Sequence, residues 1–199
     1  MLVELFDHMT LGTDAEVTRL LPLVSAQRRE EALRYQHTHG RFCCLQSYAM
    51  LLELIGAVSP TLDYTLPEFV FNEHGKPFIP NRDSLQFSIS HTKNAIAVAL
   101  SSQPIGIDVE QIRSASPALI EKTMNAAEQQ QIARSAHPDA TFTALWTRKE
   151  AVLKLLGTGI IDELHHVLDK ADRYVIETHV DIRKGYAWST AQYAEQTEL

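Results

Sequence analysis

The chain has 199 residues, of which 45% are hydrophobic and 22% are charged, and its formal net charge is −7. This composition is typical of a soluble globular protein, and the length suits one domain or two small ones. The negative charge argues against a nucleic-acid binder whose affinity comes from neutralising phosphates. It does not exclude a local basic pocket for one phosphorylated small molecule.

The two cysteines, Cys43 and Cys44, are adjacent in a predicted helix. Their side chains point in different directions there, so a disulfide between them is not expected. Unpaired thiols favour a reducing compartment. The first ten residues lack the pattern of a signal peptide, and no apolar run approaches the ~18 residues of a membrane span. We therefore expect a cytoplasmic protein that binds neither nucleic acid nor a membrane.

The first half of the chain predicts helices followed by strands. In chain order, a strand is predicted over 2–6, helices over 13–24, 25–36 and 41–55, a loop over 57–67, a strand, turn and extended segment over 69–79, and strands over 85–90 and 94–100. Ser25 is a suitable N-cap for the second helix, and Gly56 ends the third.

After the central strand, 104–110, helices again precede strands. Pro117 begins a short helix, Asn125 and Glu128 form a capping pattern, Pro138 to Leu156 is the longest helix, and strands are predicted over 165–169, 173–180 and 186–193. The same order thus occurs on both sides of about residue 102. The predicted fold class is α+β, with two similar halves, 1–102 and 103–199, each a small antiparallel sheet packed with helices.

The central strand places Gly106, Asp108 and Glu110 on one face and its β-branched residues on the other. The glycine leaves room for a ligand to approach the backbone. Two carboxylates on one face repel unless a cation lies between them, and Mg²⁺ suits such ligands. An edge strand with a solvated acidic face is the commoner explanation of Asp-x-Glu alone.

Other candidate residues also have ordinary structural explanations. Glu150 and Lys154 are four residues apart on a helix, as in a surface ion pair, or they bring a third carboxylate and a cation to the metal. Ser90 and His91, at a strand end, form a polar hairpin turn or contact phosphates. Lys76 lies in a Gly-Lys-Pro turn. A cluster of basic residues forms either a solvated helix face or an anion site. Its members are Arg28, Arg29, Arg34 and Arg41.

Four strings taken together resemble the signature of Sfp-type 4′-phosphopantetheinyl transferases. In order they are Gly-Lys-Pro at 75–77, Phe-Ser-Ile-Ser-His-Thr at 87–92, Ile-Gly-Ile-Asp-Val-Glu at 105–110 and Trp-Thr-Arg-Lys-Glu-Ala-Val-Leu-Lys at 146–154. One such string is weak evidence, but four in order at family-like spacing are specific. The resemblance covers about residues 25–160.

The resemblance implies a pseudo-dimer of two α+β halves that binds coenzyme A in the cleft between them. It implies transfer of the phosphopantetheine arm to a serine of an acyl or peptidyl carrier protein. By match to the family strings, Mg²⁺ is held by Asp108, Glu110 and Glu150, and coenzyme A is contacted by Arg28, Arg41, Lys76, Ser90 and His91. Glu31 stands where some relatives carry a basic residue, and the segment after Gly159 departs from the family.

Catalysis is assigned by the same match to Glu150 and Lys154. Phosphoryl transfer depends mainly on positioning and charge neutralisation. The general base is either Glu150, with Lys154 orienting it or the α-phosphate, or a water at the metal. Because both halves lie in one chain, a monomer is expected.

Two other functions stay open on the sequence. One is a non-catalytic module of the same fold that binds coenzyme A or a carrier protein, although such a module need not keep the metal acids. The other is a metal-dependent phosphohydrolase or nuclease built on the same three acids, although the net charge of −7 disfavours a nuclease.

Overall fold

In this computed structural model, helices and small antiparallel sheets follow one another twice along the chain. The structure describes residues 1–59, 67–159 and 163–194. Part of the predicted loop at 57–67, and the start of the segment after Gly159, lie outside these ranges. The fold is α+β, as predicted.

The helices and strands, in chain order, are β1 (Leu2–Phe6), α1 (Asp14–Leu20), α2 (Ala26–Arg34), α3 (Thr38–Val58), β2 (Val70–Phe71), β3 (Pro77–Phe78), β4 (Gln86–His91), β5 (Ile96–Ser101), β6 (Gly106–Gln111), α4 (Pro117–Thr123), α5 (Ala126–Arg134), α6 (Pro138–Leu156), β7 (Tyr174–Asp181) and β8 (Tyr186–Tyr193). Short 3₁₀ turns lie at Met9–Leu11, Leu21–Leu23, Leu164–His166 and Ala171–Arg173.

Two three-stranded antiparallel sheets have the strand orders β1-β5-β4 and β6-β8-β7, and β2 and β3 form a separate hairpin. In each sheet the strand that comes first in the chain lies beside the strand that comes last. Each sheet's first strand is followed by three helices, then by the two remaining strands, except that the β2–β3 hairpin is inserted before those strands in the first sheet. Connectivity is therefore the same on both sides of residue 102.

The side chains on the two faces of β5 pack into two different hydrophobic cores. Ile96, Val98 and Leu100 pack with α1, α2 and α3, whereas Ala97 and Ala99 face the other sheet. There they meet Ile107 and Val109 of β6. The small alanines let the two sheets approach closely, while the opposite face of β6 is left for α6.

The caps that the sequence predicts are present. The Ser25 hydroxyl accepts a hydrogen bond from the Arg28 N–H at the start of α2, and Asn125 and Glu128 form a complete capping box on α5. Gly157 follows α6 with a φ of 68°, a left-handed conformation that glycine adopts without strain. Both predicted thiols are free and buried.

Two sequence-based expectations need correction. The predicted strand over 165–169 is wrong, because that segment forms a 3₁₀ turn and further turns, closed by a 2.6 Å contact between His166 Nδ1 and Asp169 Oδ2. In addition, α3 is long and apolar enough to span a membrane by length and composition, although no such segment was expected. Half of its apolar window is buried in the protein, as in an ordinary core helix.

Candidate metal and coenzyme site

The acid-bearing face of β6 lies against helix α6. Asp108 is buried, and its Oδ1 accepts hydrogen bonds of 2.8 Å from the Ser90 hydroxyl and 2.8 Å from the Lys154 ammonium. Ser90 belongs to β4 and Lys154 to α6, so one carboxylate joins three elements. This junction connects the two sheets at the centre of the molecule.

Gly106 sets the distance between β6 and α6. A Cβ atom built at this position would lie 1.9 Å from the Ala151 carbonyl oxygen and 2.5 Å from the Leu155 nitrogen. Both are backbone atoms, which cannot rotate away. The expectation that this glycine makes room for a ligand is therefore wrong, since the space is filled by the helix that carries Glu150 and Lys154.

Lys154 pairs with Asp108 rather than with its helical neighbour Glu150. The ammonium lies 2.8 Å from Asp108 Oδ1, and no salt bridge between Glu150 and Lys154 occurs in the described ranges. The interpretation of Glu150 and Lys154 as an ordinary surface ion pair is therefore wrong. The partner of Lys154 lies 46 residues earlier in the chain.

The three predicted metal acids disfavour one another's charge. Burial, and then the Asp108 carboxylate, raise the pKa of Glu150 to about 7, an effect that Lys154 partly opposes. Burial and the same carboxylate also raise the pKa of Glu110. Asp108 Oδ2 and Glu150 Oε1 are buried and have no hydrogen-bond partner. The site is therefore short of positive charge.

These acids fit a hard divalent cation, although their present arrangement is not a formed metal site. Within residues 1–59, 67–159 and 163–194, no three His, Cys, Asp or Glu side chains are grouped so that they could hold a metal ion. The Lys154 ammonium already donates a hydrogen bond to one of the two Asp108 carboxylate oxygens. The two unpartnered carboxylate oxygens and the raised pKa values are the features that a cation would relieve.

Basic groups gather beside the acids, around His91. Burial lowers the pKa of this histidine, and the nearby charges of Lys154, His39 and Arg28 lower it further. Arg41 is farther from the centre, and its Nε donates to the Tyr35 carbonyl on the surface. A concentration of cationic side chains beside a cleft favours an anion.

Arg28 is built into the N-terminal core. Each of its guanidinium nitrogens already donates a hydrogen bond, to the Cys44 carbonyl, the Ser47 hydroxyl and the Glu31 carboxylate. Glu31 is the residue noted above as a departure from the family, and it lies 2.8 Å from Arg28 Nη1. The predicted phosphate contact of Arg28 stays a prediction. In this structure the positive charge of Arg28 already pairs with the Glu31 carboxylate.

Lys76 attaches the β2–β3 hairpin to the end of α6. Its Nζ donates to the Leu155 carbonyl at 3.0 Å and to the Ile105 carbonyl at 3.4 Å. The Asn72 amide adds a bond to the Gly157 carbonyl. Burial lowers the pKa of Lys76. The sequence predicted a phosphate contact here, and the structure adds an anchoring role that spacing alone does not reveal.

A cleft of about 260 Å³ lies between the hairpin, β4 and α6. Its walls include Lys76, Ser88, Glu150 and Lys154, together with Gly157 after the helix. Both residues assigned to catalysis, Glu150 and Lys154, thus line one cavity together with Lys76, which was assigned to the coenzyme. The two lysines in its lining suit a ligand that carries phosphates.

Sequence reasoning missed two residues that hold the site together. Lys149 is only 1% exposed, and its ammonium donates to Glu128, to the Thr123 carbonyl and to the Leu164 carbonyl. The Ser88 hydroxyl accepts from the Ile107 N–H and links β4 to β6. Lys149 could have been suspected, because helical spacing places it on the apolar face of α6 between Leu145 and Val152.

Residues 104–197 match the family model described as the 4′-phosphopantetheinyl transferase superfamily. A 4′-phosphopantetheinyl transferase of Bacillus subtilis is 32% identical over 148 residues, which are 73% of this chain and 65% of that protein. 4′-Phosphopantetheinyl transferase Sfp of Bacillus subtilis strain 168 is 29% identical over 147 residues, with the same coverage.

A shorter match joins the chain to 4′-phosphopantetheinyl transferase AcpT of Salmonella typhi. The two are 35% identical over 97 residues, which cover 46% of this chain and 50% of AcpT. The chain thus spans less than two thirds of the length of these two Bacillus relatives, at 65%, and half of AcpT.

Proposed function

We propose that the chain belongs to the 4′-phosphopantetheinyl transferase superfamily and that it moves the phosphopantetheine arm of coenzyme A to a carrier-protein serine. The match of residues 104–197 to the family model and the 32% identity to a Bacillus subtilis transferase support this proposal. The acceptor would be an acyl or peptidyl carrier protein. The observation that carries this proposal is the cleft in which Glu150 and Lys154 lie beside the buried Asp108 and the basic group around His91.

The proposed arrangement is a pseudo-dimer, with halves 1–102 and 103–199 and coenzyme A in the cleft between them. The repeated connectivity and the strand orders β1-β5-β4 and β6-β8-β7 support it. The hydrogen bond from Ser90 to Asp108 links the two halves at the site itself. We also propose that one chain acts as a monomer, and that it works in the cytoplasm, where free cysteines persist.

Asp108, Glu110 and Glu150 would hold Mg²⁺, with Asp108 Oδ2 and Glu150 Oε1 as its unpartnered oxygens. When bound, the ion would neutralise the charge that develops on the pyrophosphate as adenosine 3′,5′-bisphosphate leaves. The coenzyme's phosphates would lie against Lys76, Ser90 and His91, with Arg28 and Arg41 nearer its adenosine end. Binding there positions the reacting phosphorus, which is the main requirement of phosphoryl transfer.

The carrier serine must lose its proton as its Oγ bonds to the phosphorus that bears pantetheine, while the bond to the bisphosphate oxygen breaks. Glu150, or a water at the metal, is the proposed acceptor of that proton, since Glu150 lines the cleft together with Lys154. Lys154 Nζ would orient Glu150 or contact the α-phosphate. In the structure this ammonium is held by Asp108, so it already lies at the site.

Substitution of the acids tests this proposal. Asp108→Asn and Glu150→Gln should each lower the rate of transfer at least about a hundredfold, because each removes a charge that would hold the cation or accept the proton. Release of adenosine 3′,5′-bisphosphate, followed by chromatography in the presence of Mg²⁺ and an apo carrier protein, measures the rate. Asp83→Asn, on the loop before β4, is the control with the same change of charge. A wild-type rate in either site variant would remove that residue from the proposed site.

A further inference from the structure

Strand β7 has one open side. It is the outer strand of the order β6-β8-β7, and no strand in the described part of the chain pairs with its other side. The Ala194 N–H donates to the Arg173 carbonyl at 2.9 Å, which fixes the alternation of the β7–β8 ladder. Residues 176, 178 and 180 therefore direct their N–H and C=O groups away from β8, toward the open side.

A groove of about 260 Å³ runs beside this open side. Its walls come from the end of α5, the N-terminal half of α6 and the last part of β7. The lining residues are Gln131, Ser135, His137, Ala140, Thr141, Ala144, Leu145, Arg148, Thr178, Val180 and Ile182. Val180 and Ile182 are 43% and 52% exposed, so the strand offers apolar contacts to whatever lies there.

The groove is basic in an acidic protein. None of its lining residues is a carboxylate, although the chain carries 25 acidic residues and a net charge of −7. Arg148 contributes a guanidinium whose Nε is buried and has no hydrogen-bond partner. The Arg148 side chain as a whole is only partly buried and lines the groove, so a carboxylate there would pair with the guanidinium in a charge-assisted hydrogen bond.

This groove is separate from the candidate catalytic cleft. Arg148 and Glu150 are two residues apart on α6, and two residues correspond to about 200° around a helix. Glu150 lines the cleft with the β2–β3 hairpin, whereas Arg148 lines the groove with β7. A ligand in the groove would therefore leave the cleft accessible.

We propose that this groove binds an acidic protein segment in extended conformation, which adds to β7 as a fourth strand of the sheet. Main-chain hydrogen bonds to residues 176, 178 and 180 hold the segment. Its alternate side chains lie in the groove, with apolar groups on Val180 and Ile182 and a carboxylate on Arg148. The unpaired side of β7 is the reason to propose pairing through the backbone. The Arg148 guanidinium is the reason to propose an acidic segment.

The probe is a labelled octapeptide of valine and glutamate whose alternate positions carry valine, glutamate, valine and valine, with threonine between them, so that apolar and acidic side chains lie on the same face. Its fluorescence anisotropy with the full chain measures binding. Saturable binding is expected, and the matched peptide of valine and lysine should bind at least about tenfold more weakly. Arg148→Gln should weaken the valine–glutamate complex about tenfold, as loss of one charge-assisted hydrogen bond predicts. Arg134→Gln, which removes an exposed charge outside the groove, should leave it unchanged.

Val180→Pro tests the backbone pairing, since proline is tolerated where an edge N–H faces solvent. It should abolish binding while the circular dichroism spectrum stays that of the wild type. Hydrogen exchange on the wild-type chain gives a second test that does not depend on the variant: the peptide should slow exchange of the amides at 176, 178 and 180.

Three results of the peptide experiments would overturn the proposal. They are no binding of the valine–glutamate peptide at millimolar concentration, equal affinity for the two peptides, and unchanged exchange at these amides. A wild-type dimer that Val180→Pro converts to a monomer in analytical ultracentrifugation would also overturn it, because the occupant of the strand would then be a second copy of this chain.

Discussion

At the scale of single residues, Gly106 and Asp108 do more than their sequence motif suggests. Gly106 allows the backbone of α6 to contact β6. The Asp108 carboxylate then accepts hydrogen bonds from both Ser90 and Lys154. The distance between strand and helix decides whether Glu150 and Lys154 can reach the acids of β6. A glycine and a carboxylate two positions apart thus fix the geometry of the whole candidate site.

Gly106→Ala should lower the free energy of unfolding by about 3 kcal/mol, because the new methyl group overlaps the Ala151 carbonyl and α6 must move. Urea unfolding followed by circular dichroism measures the loss. Gly40→Ala is the matched control in α3. The atoms nearest its new Cβ all belong to the Tyr35 side chain, which is 39% exposed and can move toward solvent. Equal stabilities of the two variants would show that α6 does not depend on this close approach.

At the scale of the element, α6 is held by a buried ion pair whose two residues do not line the cleft. Lys149 Nζ lies 2.7 Å from Glu128 Oε2, and the same carboxylate oxygen accepts the Asn125 N–H of the α5 capping box. The ammonium also binds two backbone carbonyls, so all three of its protons are used. These bonds tie α6 to α4, to α5 and to the 3₁₀ turn at Leu164–His166.

Lys149→Met should lower the free energy of unfolding by about 3 to 5 kcal/mol, since it leaves the Glu128 carboxylate buried without its cation. The double variant Lys149→Met with Glu128→Met should recover part of this loss, because no unpaired charge is then buried. Urea unfolding of the two variants and of Glu128→Met alone completes the cycle. Additive losses would mean that the pair is not coupled, contrary to the geometry.

Local sequence signals predicted most elements, and long-range contacts account for the errors. Ser25, the Asn125–Glu128 box and Gly157 mark helix ends because capping is a local interaction. The pairing of Lys154 with Asp108 spans 46 residues, so helical spacing could not reveal it. The prediction of a strand over 165–169 is wrong, because local turns rather than strand pairing organise this segment.

At the scale of the whole molecule, a polar contact joins the two halves far from the cleft. Asp7, just after β1, accepts hydrogen bonds from the Tyr186 hydroxyl at 2.8 Å and from the Lys184 ammonium at 2.6 Å. The Asn94 amide adds bonds to the carbonyls of residues 184 and 185. Together with the sheet-to-sheet core, these bonds hold the halves that line the site.

The hydrogen bond from Lys184 is the main cause that lowers the pKa of Asp7 below its ordinary value of 3.8. A carboxyl with a depressed pKa stabilises the fold fully above its unfolded pKa, and this contribution is lost as the pH falls through the lower, folded value. Asp7→Asn should therefore be less stable than the wild type at pH 5 to 8, and the difference should shrink below about pH 4.

Urea unfolding of both proteins between pH 3 and pH 8 measures that difference. Asp83→Asn, at an exposed carboxylate, is the control and should follow the wild type throughout. A difference for Asp7→Asn that stays constant down to pH 3 would mean that ionisation of Asp7 does not support the contact between the halves.

The central claim is transfer of phosphopantetheine, and intact-protein mass spectrometry tests it most directly. An apo acyl carrier protein, and separately an apo peptidyl carrier domain, are incubated with this protein, coenzyme A and Mg²⁺. The account predicts that at least one carrier gains the mass of a single phosphopantetheine and that EDTA prevents the gain. An unchanged mass for both carriers, with coenzyme A still bound in calorimetry, would contradict it and favour a binding module.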